Sequence, residues 1–337
     1  MKKKILVTGG AGYIGSHTTV ELIAAGYDVV IVDNLVNSEV SAVEAVRAIT
    51  GVDVLFVEAD CCDRRRMAEI FAANAFDAVI HFAALKSVPQ SVAQPLEYYD
   101  NNLTSFINIL SLAKEYGVRD IVFSSSATVY GQPDTLPATE QTPRKPATSP
   151  YGETKQMCED ILASAVREGL RGISLRYFNP IGAHPSATMG ELPRGVPGNL
   201  VPFITQTAAG LHTGLKIFGD DYNTPDGTAL RDYLDVVDLA RAHVAALARL
   251  FSGDGTDYEV FNVGTGIPVS VMELVRKFEA VNGVKVPYEL TGRRDGDVEA
   301  VWADPALANR VLGWKAERTI EQTLAAAWAW EKRLRGL

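Results

Sequence analysis

Short apolar runs alternate with helix-length stretches through the first half of this chain, and that alternation limits its fold more than any other feature. Residues 5–8, 29–32, 54–57, 78–82, 121–124 and 173–176 are runs of four or five residues, the length and composition of strands covered on both faces. The stretches between them stop at glycines. The one from Ile14 stops at Gly26, residues 95–116 stop at Gly117, and residues 151–168 stop at Gly169, as helices finishing on a left-handed residue do. Alternating strand and helix predict an α/β fold, a Rossmann-type doubly wound parallel sheet with helices on its faces.

Beyond this the pattern changes. Residues 132–150 carry five prolines and read as a long ordered loop, and residues 180–202 are rich in Gly and Pro without a period. From there shorter helices and isolated strands are expected, although the helix at 236–250 and the strand at 258–263 can return to the main sheet. The layout predicted is a large domain of residues 1–180, joined by a later segment near 232–265, and a smaller, partly interleaved α/β domain of residues 181–337. The cleft between them is the natural ligand site.

Charge narrows the partners. The 337 residues hold 41 acidic and 32 basic side chains, a formal net charge of -9. That argues against general binding to nucleic acid or to anionic membranes, but a small anion feels local charge. No run of 18 apolar residues is present, so no membrane-spanning helix is expected. The basic start MKKK is followed by an apolar run that stops at Val7, too early for a secretory leader. Cys61 and Cys62 are adjacent and Cys158 stands alone. They form no disulfide framework and no metal-ligand spacing with the five histidines, so no metal and a reducing, cytoplasmic setting are expected. Cys61 and Cys158 read as small buried residues.

The string TGGAGYIG follows the first strand and opens the first helix, placing Gly9, Gly12 and Gly15 three apart. Side chains are missing where backbone must approach a pyrophosphate, and a helix N-terminus supplies amides and positive potential. Asp33 ends the second strand 18 residues after Gly15. An acid there binds the ribose hydroxyls of an adenosine and repels a 2′-phosphate, favouring NAD over NADP. Asp60 closes the third strand, at the edge where an adenine would lie.

The fifth strand ends in Ser124, Ser125 and Ser126, and Tyr151 and Lys155 follow in YGETK. Residues i and i+4 share a helix face, so phenol and ammonium point the same way. A phenol near pKa 10 is a poor base at neutral pH. A neighbouring Lys⁺ together with an oxidised nicotinamide would lower it, and Ser126 can donate or accept in the same place.

TGGAGYIG, Asp33, SSSATVYG and YGETK resemble the extended short-chain dehydrogenase/reductase family. HFAALKSV, PLEYYDNN, LRYFNPIGAHPS, GTALRDYLDV and RRDGDVEAVWAD are similar to its UDP-hexose 4-epimerases, over residues 5 to about 330. The resemblance implies an NAD-binding first domain, a UDP-sugar-binding second domain, and NAD recycled within each turnover. It implies that Gly9, Gly12, Tyr13, Ile14 and Gly15 hold the pyrophosphate of NAD and that Asp33, Asn34, Asn37 and Ser38 surround the adenosine ribose. Asp60 and Cys61 would meet the adenine. Phe82, Ala83 and Ala84, with Lys86, Asn101 and Phe178, would complete the cofactor wall.

The same resemblance makes Tyr151 the base for the sugar C4 hydroxyl, Lys155 its tuning partner and Ser126 a support. UDP-glucose and UDP-galactose would interconvert through a 4-keto sugar that turns over while UDP stays anchored. Asn179, Asn199, Leu200, Phe218, Arg231, Arg294 and Asp297 would hold the UDP group, with Lys86 also at the substrate. Arginine suits a diphosphate because its planar fork pairs two oxygens at once. Val301 stands where enzymes limited to unacetylated sugars carry tyrosine, which implies additional activity on UDP-N-acetylglucosamine. Residues 95–116 and 151–168 are where the family pairs into homodimers. A 4-epimerase of UDP-xylose or of a UDP-uronate is the near alternative. A dehydratase needs an Asp-Glu pair where this chain has Ser125-Ser126-Ala127, and a non-catalytic NAD sensor predicts a broken YxxxK, which here is intact.

Overall fold

The computed structural model describes residues 2–294 and 296–337. In chain order the first half forms β1 (Lys4–Thr8), α1 (Tyr13–Ala24), β2 (Asp28–Asp33), α2 (Val40–Thr50), β3 (Leu55–Glu58), α3 (Arg64–Ala73), β4 (Ala78–His81), α4 (Val88–Ala93), α5 (Pro95–Glu115), β5 (Asp120–Ser124), α6 (Pro150–Ala165) and β6 (Arg171–Tyr177). The second half forms β7 (Asn179–Ile181), α7 (Leu200–Ala208), β8 (Leu215–Phe218), β9 (Leu230–Asp235), α8 (Val236–Ser252), β10 (Tyr258–Val263), β11 (Pro268–Ser270), α9 (Val271–Asn282), β12 (Tyr288–Thr291), β13 (Ala300–Val301), α10 (Ala306–Val311) and α11 (Ile320–Arg335).

The main sheet runs β10-β6-β5-β4-β1-β2-β3, and its neighbours pair in parallel. It is the doubly wound α/β sheet that the alternating pattern predicts. Gly26, Gly117 and Gly169 all take positive φ at the ends of their helical stretches, where a side chain would be strained. One face buries Val20 and Leu22 of α1, Val43 and Val46 of α2, and Leu239, Ala242 and Leu247 of α8. The other buries Phe71 of α3, Phe106 and Ile109 of α5, and Leu162 of α6. Strand β3 departs from expectation. It lies at the sheet's edge, and its Leu55 is 50% exposed while Phe56 and Val57 pack against the clusters on the two faces.

The second half also differs from its expected form. Helices α8 and α11 have 17 and 16 residues, and the strands are not isolated. They gather on β9, which pairs with β7 and β13 in parallel and with β11 antiparallel, while β8 and β12 form a separate pair. Strands of two to four residues carry too little period to be seen in the chain, and their partners are far away in sequence. Helices α7, α9 and α11 bury Ile204, Phe278 and Trp328 against this layer. Phe178 alone separates β6 of the main sheet from β7 of the smaller one.

Helix α6 is fixed by a buried ion pair. Glu159 accepts from Arg176 Nε at 2.9 Å and Nη2 at 2.6 Å, and from Ser125 Oγ at 2.6 Å. Arg176 Nη1 donates to Tyr130 at 3.0 Å, and Tyr130 donates to Asn262 at 2.6 Å. The network therefore ties α6 to β5, β6 and β10. Glu159→Ala leaves Arg176 buried without its carboxylate and should lower the unfolding free energy by about 3–5 kcal/mol. Urea denaturation checks this, and a loss below about 1 kcal/mol would show that α6 is held by apolar packing instead.

Candidate active site

The strand order reverses between β1 and β4, which opens a crevice at their C-terminal ends. The glycine turn after β1 and the loop after β4 meet there. Gly9 has φ +69, and a Cβ on it would lie 2.6 Å from Ala83 N. A Cβ on Gly15 would lie 2.3 Å from Gly9 O, so both glycines are required by close backbone packing. Gly12 is different, because its Cβ would meet only Gly9 O at 3.1 Å. The protein leaves that face open. Gly12 also caps α1 without a side-chain bond, leaving the first-turn amides of Tyr13, Ile14 and Gly15 at the positive end of the helix. This cradle fits a pyrophosphate.

Asp33 braces the turn. It accepts from Ala11 N at 3.0 Å, Leu35 N at 2.9 Å and Ser38 Oγ at 2.7 Å, so most of its lone pairs are already used. Asn34 and Asn37 are exposed beside it. Asn34 Nδ2 donates to Asp60 at 3.1 Å, and Asp60 also accepts from Cys62 N at 2.7 Å. The Cys61 side chain turns into the core, and burial holds its thiol up, so only its backbone can face a ligand. Phe82 packs on the His243 ring at 4.7 Å, with Ala83 and Ala84 half-buried beside it. Asn101 donates to Asn102 at 2.9 Å, and Asn102 grips both the N–H and the C=O of Leu85. The loop carrying Lys86 is thereby clamped to α5.

Tyr151 and Lys155 lie in the first two turns of α6, after a Ser149 cap and Pro150 at the first helical position. Lys155 Nζ donates to Ser124 O at 2.7 Å and sits 5.8 Å from the Tyr151 ring centre. Burial brings Lys155 down to about 8 while Cys158 and Glu159 raise it, so the ammonium survives at neutral pH. The expected lowering of the phenol by Lys155 is not seen in the protein alone. Burial drives Tyr151 well above its ordinary value, Tyr177 adds to that, and only the Ser126 hydroxyl pulls it back. The ammonium donates to the Ser124 carbonyl. Ser126 Oγ accepts from Thr128 N at 3.2 Å and from Thr128 Oγ1 at 3.0 Å. Its own proton remains to be donated.

The second cluster surrounds β9. Val301 of β13 is in register with Arg231, and Asn179 of β7 with Tyr233. Val301 packs toward Phe178 in a small apolar cluster. Arg231 is mostly buried, 4.0 Å from Asp297, and burial lowers its pKa. Arg294 grips Asp297 through Nε at 3.1 Å and Nη2 at 2.8 Å, and lies 5.4 Å from the Phe218 ring centre. These residues, assigned separately from the sequence, form one cluster. Asn199 and Leu200 start α7, and Asn199 donates to Glu191 at 2.6 Å.

Residues 5–264 match the NAD dependent epimerase/dehydratase family. The chain belongs to that family. Among its relatives, the UDP-glucose 4-epimerase of Bacillus subtilis (strain 168) is 52% identical over 330 residues, 97% of this chain and 96% of that one. The solved UDP-glucose-4-epimerase from Stenotrophomonas maltophila, with bound NAD and formylated UDP-arabinopyranose, has a TM-score of 0.96 at 48% identity, covering 99% of both chains. The UDP-glucose 4-epimerase from Bifidobacterium longum in complex with NAD+ and UDP has a TM-score of 0.94 at 46% identity, covering 98% of both.

This epimerase/dehydratase chain holds further cleft residues that motif spacing does not reveal. Tyr13 donates to Gly182 O at 2.7 Å, and Arg194 donates to Val36 O at 2.9 Å and Ser38 O at 2.8 Å, so the second half closes over the glycine turn. Glu191 and Glu159 are buried acids with no motif of their own. The turn's geometry separates two substitutions. With NAD removed, Gly12→Ala should melt near the wild type yet lose NAD binding by titration calorimetry, whereas Gly15→Ala should melt earlier because its Cβ strikes backbone. Unchanged NAD affinity in Gly12→Ala would place the pyrophosphate elsewhere.

Proposed function

We propose that this chain is a UDP-hexose 4-epimerase that interconverts UDP-glucose and UDP-galactose with tightly bound NAD. The observation that carries the reading is that Ala127 and Val129, just after Ser126, share one apolar cluster with Phe178 and Val301, and Val301 is in register with Arg231, which draws the β5 end below Tyr151 and Lys155 toward the Arg231, Arg294 and Asp297 group. A hydroxyl base and a diphosphate clamp in one region suit a sugar nucleotide. The family membership and the relatives' activities support the same substrate class.

The cradle of Gly9, Gly12, Tyr13, Ile14 and Gly15 holds the NAD pyrophosphate, with Asp33, Asn34, Asn37, Ser38, Asp60 and the Cys61 backbone at the adenosine. Phe82, Ala83, Ala84, Lys86, Asn101 and Phe178 line the rest. When bound, NAD⁺ supplies a positive ring that favours the phenolate and an acceptor for the C4 hydride, which it later returns. Tyr151 takes the C4 hydroxyl proton and gives it back to the 4-keto sugar after that sugar has turned. Position at the N-terminal turn of α6 favours the phenolate further. Lys155 keeps its charge and holds the nicotinamide ribose, and Ser126 donates to the 4-oxygen. Asn179, Asn199, Leu200, Phe218, Arg231, Arg294 and Asp297 keep UDP fixed while the sugar rotates. Such positioning and proton transfer each contribute orders of magnitude in rate.

Val301 widens the sugar pocket, so the reading extends to UDP-N-acetylglucosamine. Val301 is in register with Arg231 and packs against the apolar cluster that contains Phe178, and a tyrosine there would take up more of the pocket. We also infer a homodimer built on α5 and α6, supported by Val92 at 62%, Leu96 at 80% and Ile107 at 46% exposure on α4 and α5, a stripe of apolar surface that suits a partner. A reducing cytoplasm fits the three free cysteines. Among the described residues no helix is long and apolar enough to cross a membrane.

A UDP-sugar panel with no added NAD tests the enzyme. UDP-galactose and UDP-N-acetylglucosamine should both turn over. Tyr151→Phe should still bind UDP and lose about 10²–10⁴-fold in kcat. Val301→Tyr should keep UDP-galactose turnover and lose the N-acetylated substrate. Full activity in Tyr151→Phe would refute the base, and no turnover of UDP-N-acetylglucosamine by the wild-type protein would refute the wide pocket. Light scattering should give twice the mass of one chain, and Leu96→Lys should shift it toward the monomer.

A further inference from the structure

Glu191 stands where both halves of the cleft meet, yet no motif assigns it. Its segment is a small rigid turn. Ala183 bridges Gly190, and His184 N donates to Met189 O at 2.9 Å. Gly190 lies flat on α11, where a Cβ would be 2.4 Å from Trp330 Cδ1. The Trp330 indole N–H then donates to Glu191 O at 3.1 Å. The backbone of Glu191 is thus locked by packing, and its side chain is 9% exposed.

One carboxylate oxygen makes a close bond to Asn199 and lies at longer range from the half-exposed Lys86 side chain. Oε1 accepts from Asn199 Nδ2 at 2.6 Å and lies 4.0 Å from Lys86 Nζ. Lys86 comes from the loop after β4, and Asn199 from the start of α7. An ionised carboxylate only accepts, so it dictates which end of the Asn199 amide it meets. Burial raises the Glu191 carboxyl, and Lys86 and then Asn199 draw it back. Placing an acid where a diphosphate must bind is unfavourable by itself, so its value must come from what it orients.

The Asn199 side chain carries the second observation. Asparagine is among the preferred N-cap residues, and Asn199 occupies the N-cap of α7, yet it makes no side-chain cap bond. Pro202 holds the third helical position and offers no N–H. The amide that would close the helix end is drawn away to Glu191, leaving the Leu200 and Val201 amides uncovered.

We propose that Glu191 is a positioning residue for the sugar-nucleotide site, holding the Asn199 amide off the α7 cap and so oriented before UDP enters. The proposal rests on the UDP-hexose reading above. In the NAD-loaded full chain, Glu191→Ala should weaken binding of UDP alone, and raise KM for UDP-galactose, by about 10–100-fold. kcat should change far less than KM. Glu191→Gln keeps an acceptor for Asn199 without the charge and should recover most of the UDP affinity. It keeps the test open if the alanine variant folds poorly. In an Asn199→Ala background, removing Glu191 should add little, because both changes delete one arrangement. Unchanged UDP affinity in Glu191→Ala, or fully additive losses in the double variant, would overturn the proposal. So would a parallel fall of kcat and melting temperature, the mark of a merely structural side chain. If the wild type binds UDP but turns over no UDP-hexose, the functional reading fails while the UDP-binding comparison still decides the role of Glu191.

Discussion

Everything in the cleft depends on where α6 stands, and the Glu159–Arg176 pair sets that place. Tyr151, Lys155 and Glu159 follow at four-residue steps, so they share one face of the helix. The first two look into the cleft, and the third anchors the face to the sheet below. A carboxylate and a guanidinium accept few geometries, so the bond fixes rotation as well as distance. Because Ser125 completes the Glu159 shell, the residue beside Ser126 is held by the helix that carries Tyr151 and Lys155. The β5 end and α6 are therefore registered to one another by one buried charge pair.

The second half is organised by a strand instead. β9 is buried from Asp232 to Asp235, and it pairs with β7 along its C-terminal half and with β13 and β11 about its N-terminal end. Arg231 sits on this strand rather than on a loop, which makes its position as firm as the sheet. Arg294 and Asp297 close on it from a loop, and Phe218 lies beneath Arg294. Arg293, next to Arg294, is turned away from them. It donates to Asp221 Oδ1 at 2.7 Å and covers the Tyr222 ring at 4.2 Å, strapping that loop to the turn after β8.

Much of this was readable in the chain, and the division between readable and hidden is physical. The glycine turn, the strand ends and YGETK are local patterns, in which spacing along the chain equals spacing in space. The first-half strands are continuous apolar runs, and left-handed glycines follow α1, α2, α5 and α6. What stays hidden is long-range. Glu159 meets Ser125 34 residues away, and Arg194 reaches Ser38 156 residues away. Strand β13 is two residues long, so it exists only by pairing with β9. The upward pull of burial on the Tyr151 phenol is hidden for the same reason. The sequence places a lysine nearby but cannot show that its ammonium is spent on Ser124, or that burial outweighs it.

Strand order has a consequence for how the chain is made. Strand β10 closes the main sheet against β6, but it leaves the ribosome about 80 residues later, after β7, β9 and α8. At synthesis rates of about 5–20 residues per second, the β6 edge stays unpaired for several seconds, with its neighbours already able to form. An open edge of that kind is a template for foreign strands. The chain must carry it, unfinished, until Val263 has been added.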